Sequence, residues 1–287
     1  MWEKIEMELG EIDVENLEFN HPICSDVLDI KSEPFINMLG SVSDIFKEPF
    51  RKYKLEQNHD IMEACIEFIQ NKELKINMDE LLDNINYGKW LDKPEELQDL
   101  TKRMLESMLK VWKSPKYEAY IRKGKSINEG SYVCELGKNA ELEIVYLKTS
   151  RPNSSQDKRV RDHKKLIRFS KDSIDTKRNI LMLKKIFNQP SKRQNLSIFT
   201  INIAGDVIEL YALRKKSGIY KYCLIEEATI PLHMTSPNAV YPLIYTLLTL
   251  RTAVACTIHK ILYSSDFGNS EHSSNEIVVT VLTPKNS

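Results

Sequence analysis

Residues 197–229 constrain the fold more than any other stretch of the chain. They divide into three runs, SIFTINIAG, VIELYALRK and YKYCLIEEATI, separated by Gly205-Asp206 and by Ser217-Gly218. Apolar, β-branched runs joined by tight glycine turns pair as an antiparallel meander. The most apolar stretch of the chain follows, YPLIYTLLTLRTAVACTIHKIL from Tyr241 to Leu262, and reads as a helix from Pro242. It is long enough to span a bilayer, but Arg251 stands at its middle with His259 and Lys260 near its end. An arginine at that depth costs about 2.5–3.5 kcal/mol on insertion scales. The expectation is therefore a buried helix that turns Arg251 to an edge or to a polar partner, in a protein without a membrane partner.

Upstream the pattern is helical. Ile61, Ala64, Cys65, Phe68 and Ile69 share one face of a segment over 60–70, and Leu81, Leu82 and Ile85 repeat the spacing over 79–86. A third helix opens with Pro94, Glu95 and Glu96, chemistry suited to a first turn, and carries an apolar stripe from Leu97 to Trp112. After Gly137 the period changes, and Ala140–Tyr146 with Leu147 predicts a strand. RPNSSQD reads as a loop, and a long basic helix is expected from about 158 to 187, ending before Pro190. IVVTVL near the end can form a last short strand. The order is helices, strand, helix, three strands, helix. The fold class is α+β (mixed α/β), with a helical N-terminal region over 1–124 and an α/β core over 125–287.

The 287 residues hold 41 Lys and Arg against 41 Asp and Glu, with 41% hydrophobic residues. That balance excludes a disordered polyelectrolyte, and 9 Gly and 11 Pro exclude a collagen-like or linker chain. The charge is unevenly placed. Residues 1–50 carry twelve acids and three bases, whereas residues 157–193 carry thirteen bases and four acids. Two arrangements fit: a face that binds a polyanion, or two parts of one protein that neutralise each other. The five cysteines are widely spaced and odd in number, which suits small buried side chains in a reducing compartment. The acidic start lacks the basic residues and apolar run of a signal peptide, so an intracellular location, cytoplasmic or nuclear, is expected.

Most chemistry-bearing motifs are missing. No glycine spacing suits a phosphate loop or a dinucleotide fold, there is no HExxH, and no serine or cysteine stands in a nucleophile signature. His163 is expected at the surface and His259 partly buried. One segment does carry candidates for chemistry. Glu141, Glu143 and Lys148 lie on the strand before the basic helix, and acids at a strand end beside a lysine can hold a divalent cation over a phosphodiester. Simple alternation, however, sends Glu143 and Lys148 to opposite faces unless a bulge intervenes.

Four stretches, KSINEGSYV, ELEIVYLKTSRP, DHKKLIRFSKDSID and FTINIAGDVIELYALRKKSGIYKYCLIEEATIP, resemble a group of uncharacterised fungal proteins of the PD-(D/E)XK, or restriction-endonuclease-like, superfamily. The resemblance covers roughly residues 125–262 and implies a restriction-endonuclease-like sheet flanked by helices, with Mg²⁺-dependent phosphodiester cleavage in active members. The departures decide the functional expectation. The glutamate at the end of the family's central strand falls on Lys148, and the residue two places on falls on Ser150. An ammonium there replaces a metal ligand with positive charge. An earlier aspartate-bearing strand is also implied, and residues 134–139 are too short to supply it. No cofactor is expected, with Mg²⁺ needed only if the site is active.

The expected function is thus a degenerate nuclease-like protein, leaning towards no enzymatic activity. Weak, sequence-independent nucleic-acid binding is expected from Lys158, Arg159, Arg161, Lys164, Lys165, Arg168 and Lys171, read as spread around their helix. The alternatives are a protein-interaction module whose acidic N-terminal part recruits a partner, and an active Mg²⁺-dependent nuclease using Glu141 or Glu143 in a shifted site.

Overall fold

The computed structural model describes residues 22, 27–29, 31, 55–71, 77–83, 85–86, 94–113, 130–135, 141–150, 154–176, 192, 195–216, 218–231 and 239–263. In chain order the elements are β1 (Val27–Asp29), α1 (His59–Gln70), α2 (Met78–Leu82), α3 (Pro94–Trp112), β2 (Gly130–Glu135), β3 (Glu141–Ser150), α4 (Gln156–Thr176), β4 (Ser197–Ala204), β5 (Val207–Lys216), β6 (Ile219–Thr229) and α5 (Val240–Tyr263). The fold is mixed α+β, a sheet flanked by helices. The IVVTVL segment and the part of the expected basic helix beyond 176 lie outside the described residues.

Among the described residues the sheet has six strands in the order β1-β6-β5-β4-β3-β2. The meander forms as expected, with β4, β5 and β6 antiparallel in turn. Its turns need residues that accept a left-handed backbone, and Gly205 (φ 71°) and Gly218 (φ 89°) supply them. β3 joins β4 in parallel, so α4 is the crossover between them. β1 lies parallel to β6, which makes β1, β3, β4 and β6 run in one direction.

Two strands depart from the expectation. Val27–Asp29 adds a strand to the sheet from a region read as helical, where three apolar and acidic residues are too few to show a period. Gly130–Glu135 pairs antiparallel with β3, a strand that the sequence did not predict and that carries no aspartate. A register shift opposite Tyr132 and Val133 leaves Ile144 unpaired, a bulge in β3.

Local chemistry explains the helix starts. Asn58 caps α1, its Oδ1 accepting from Ile61 N at 3.0 Å, and Asn77 caps α2 by accepting from Asp79 N at 3.2 Å. Ser155 opens α4, its carbonyl accepting from Lys158 N and Arg159 N. Helices α1, α2 and α3 pack their apolar stripes (Phe68, Leu82, Leu97 and Leu105 among them) against Val240, Ile244 and Leu248 at the start of α5. Polar ties hold that joint. Tyr241 Oη accepts from Asn58 N at 2.9 Å, and Trp112 Nε1 donates to the Pro231 carbonyl at 2.8 Å.

Helix α5 is long and apolar enough to cross a membrane by length and composition, and half of its most apolar window is buried within the fold. It covers one sheet face, where Leu243 meets Ile208 and Ala228, while Ala253 and Ile261 join the main core. Arg251 turns to the helical region and bonds Glu96 at 3.2 Å, the polar partner expected for it. Helix α4 covers the other face.

Candidate functional site

The face under α4 is unusually polar for the interior of a sheet. Register places Lys148, Asn202, Glu209 and Glu227 directly across four neighbouring strands, one transverse row. The next row towards the core holds Tyr146, Thr200 and Tyr211. The first row lies near the carboxyl ends of β3, β4 and β6, and α4 begins just beyond the end of β3. In open sheets the crevice outside the carboxyl ends of parallel strands is where ligands bind. A cleft of about 900 Å³ opens there. Its sheet side is lined by Asn202, Ala204, Val207, Glu209 and Tyr211, its helix side by Gln156, Arg159, Val160, His163 and Lys164, and Asp29, Lys31 and Glu227 close a third side.

Charge in the cleft is extensively paired. The buried Asp29 carboxylate accepts from Lys31 N at 3.1 Å through one oxygen and meets His163 Nε2 at 2.9 Å through the other. Lys31 Nζ donates to Glu209 and also reaches Glu227 Oε2 at 3.4 Å. Lys148 Nζ stands 3.7 Å from Asp162 Oδ1, while Ser150 Oγ donates to Asp162 Oδ2 at 2.6 Å. Burial raises the Glu209 carboxyl, but hydrogen bonds from Lys31 and Asn202 and the Lys31 charge outweigh it and hold the group below the ordinary glutamate value. Burial above all, and then the Glu209 charge, push the Tyr211 phenol far up, and burial does the same to Tyr222. Both rings therefore act as neutral groups. They stack at 4.8 Å with planes 8° apart, and His163 meets both edge-on at 5.0 and 5.3 Å.

Of the residues expected to act around β3, Glu143 and Lys148 do not meet. Glu143 accepts from Tyr146 Oη at 2.9 Å and from Ser131 Oγ at 3.3 Å, at the opposite end of the strand from Lys148. The bulge at Ile144 brings Glu143 onto the face of Tyr146 and Lys148, against simple alternation. The five-residue separation still leaves it roughly 13–16 Å from Lys148 at the rise of a strand. Glu141 pairs with Glu135 through the backbone, and its side chain lies outside the described residues. Among the described residues no three His, Cys, Asp or Glu side chains come together as a metal site. The buried thiols are poor nucleophiles, since burial pushes Cys65 up to about 12 and Cys223 well above its ordinary value.

The basic residues of α4 sort into three groups rather than spreading evenly. Arg161, Lys165 and Arg168 are exposed and, with half-buried Lys158, follow one another at i, i+3, i+7 and i+10, a single outer stripe. Arg159 and Lys164 turn towards the cleft. Lys171 bonds Asp175 at 3.0 Å and lies 5.1 Å over the Tyr220 ring. His163, expected at the surface, is largely buried against Asp29 and the two tyrosines, because it falls on the inward side of α4 with the buried Leu166 and Ile167. The cleft residues absent from the sequence reading are Asp29, Lys31, Asn202, Glu209, Tyr211 and Glu227. One signal was present: in VIELYALRK, Glu209 alternates with Tyr211 and Leu213 on what must be an inward face.

These features define a mixed α/β sheet with a polar cleft at the carboxyl ends of its parallel strands. Comparison with protein-family models, curated proteins and solved structures finds no match for the chain.

Proposed function

We propose that the protein is a nuclease-like fold without cleavage activity that holds the phosphate backbone of nucleic acids along the outer stripe of α4. The observation that carries the reading is Lys148. It stands in the transverse row at the position where the resemblance implies a metal-binding glutamate, and its ammonium pairs with Asp162, occupying a carboxylate that a cation would need. Asp29 and Glu209 are likewise engaged, by His163 and by Lys31. A phosphodiester could then be bound but not activated, since Mg²⁺ chemistry needs carboxylates that converge on one point. Lys158, Arg161, Lys165 and Arg168 present four cations on one line of an exposed helix, which suits contact with phosphates and carries no base readout.

Fluorescence anisotropy with labelled duplex DNA and RNA at two salt concentrations tests the binding. The expected result is sequence-independent association whose salt slope is about −3 to −4, as four phosphate contacts require. The triple variant Arg161→Glu/Lys165→Glu/Arg168→Glu, melting like the wild type, loses it. No association at low salt sinks the reading. Plasmid cleavage by the wild type in Mg²⁺ or Mn²⁺, abolished in Glu143→Ala, replaces it with an active enzyme.

A further inference from the structure

Apart from the outer stripe of α4, we infer that the cleft is a binding site for a phosphorylated sugar, free or as a mononucleotide. Three observations converge on this. The first is the cavity itself, about 900 Å³ at the carboxyl ends of β3, β4 and β6, a size and position typical of small-ligand sites. The second is Asn202. It is 4% exposed, its Nδ2 donates to Glu209 Oε2 at 2.9 Å, and that bond fixes its orientation. Its Oδ1 is buried without a hydrogen-bond partner among the described residues. A buried acceptor left unsatisfied costs stability, and a donor on a bound ligand would satisfy it.

The third is the division of the walls. The sheet side offers acceptors, Asn202 Oδ1 with Glu209 and Glu227. The helix side offers Gln156 and Arg159 in the first turn of a 21-residue helix, with Lys164 further along it. A ligand spanning the two needs an anion at one end and hydrogen-bond donors at the other. Lys31 already neutralises Glu209, so an ammonium donor would meet the Lys31 ammonium, whereas neutral hydroxyls would not. A doubly charged phosphate matches two cations and a helix start better than a carboxylate. A phosphate carried beside vicinal hydroxyls satisfies every requirement.

Isothermal titration and thermal melting of the full chain with ribose 5-phosphate, adenosine monophosphate, ribose and inorganic phosphate test the site. Ribose 5-phosphate or the mononucleotide is expected to bind and raise Tm, with ribose and phosphate alone at least about tenfold weaker. Tighter binding of the mononucleotide names a nucleotide as occupant, and tighter binding of ribose 5-phosphate names a free sugar phosphate. Asn202→Leu removes the acceptor at similar volume and is expected to abolish the ligand-induced shift. Arg159→Met does so from the other wall and serves if Asn202→Leu fails to fold. Arg161→Glu, on the outer stripe, leaves the shift intact. No binding of either phosphorylated ligand at millimolar concentration, or unchanged binding in both Asn202→Leu and Arg159→Met, overturns the inference.

Discussion

The two faces of the sheet are covered by helices of opposite character. Under α5, Ile201, Ile203, Ile208 and Ala228 meet Leu243 and Leu247, an interior built from apolar contact. Under the first half of α4, the corresponding places hold Lys148, Ser150, Asn202 and Glu209, opposed by Asp162 and His163. The same strands, with the same pairing, thus carry a dry face and a wet one. Burying an unpaired polar group costs about 1–3 kcal/mol by mutational data, so a polar interior persists only where each group is answered or where water and ligands can enter. The α5 side stabilises the fold. The α4 side gives up part of that stability to shape a cleft.

The contrast can be broken most forcefully from the dry side. Leu248→Ala removes a fully buried side chain where α5 meets α1, α2 and α3. It is expected to destabilise by about 2–5 kcal/mol, because the surrounding helices cannot collapse into the space. Urea denaturation measures it, and a loss below about 1 kcal/mol would mean the helices repack freely.

On the wet side, Asp162→Ala removes the carboxylate that Lys148 and Ser150 share and is expected to cost about 1–3 kcal/mol. The double variant Lys148→Met/Asp162→Leu removes both charges at similar volume and is expected to recover most of that loss. Equal losses in the single and double variants would show that the pair is not the unit of stability.

The smallest effect is in the acid limb. Glu209 titrates below the ordinary glutamate value in the folded chain, so its contribution is fully present above the unfolded value, near pH 4.5, and is lost as pH falls through the folded value. Wild type is expected to exceed Glu209→Gln in Tm at neutral pH, with the gap closing as pH falls below about 4. A gap that stays constant with pH would place the Glu209 contribution in packing rather than in the bond to Lys31.

Much of the scaffold was legible in the residues. The meander of 197–229 with its glycine turns, the striped helices over 60–70 and from Pro94 to Trp112, and the apolar helix with Arg251 seeking a partner all follow from periods and turn chemistry that act within a few residues. The expected helices over 79–86 and 158–187 are described only as 78–82 and 156–176. The site was harder to read. Asp29 and Lys31 lie more than 100 residues from the cleft residues of α4 and of the β4–β6 meander, and a three-residue strand has no period to betray it. The bulge at Ile144 reverses which face Glu143 takes, a consequence of pairing with β2 that β3 alone does not announce.

Local sequence therefore determined which segments become helices and strands, since capping, turn formation and amphipathic spacing are short-range energies. Only the tertiary structure decided that Lys148, Asn202, Glu209 and Glu227 form one row, that His163 turns inward to Asp29, and that the basic residues of α4 divide between an outer stripe and a cleft. Register across strands and the facing of a helix are fixed by contacts between distant residues, and the energy that selects them exists only once the sheet has closed.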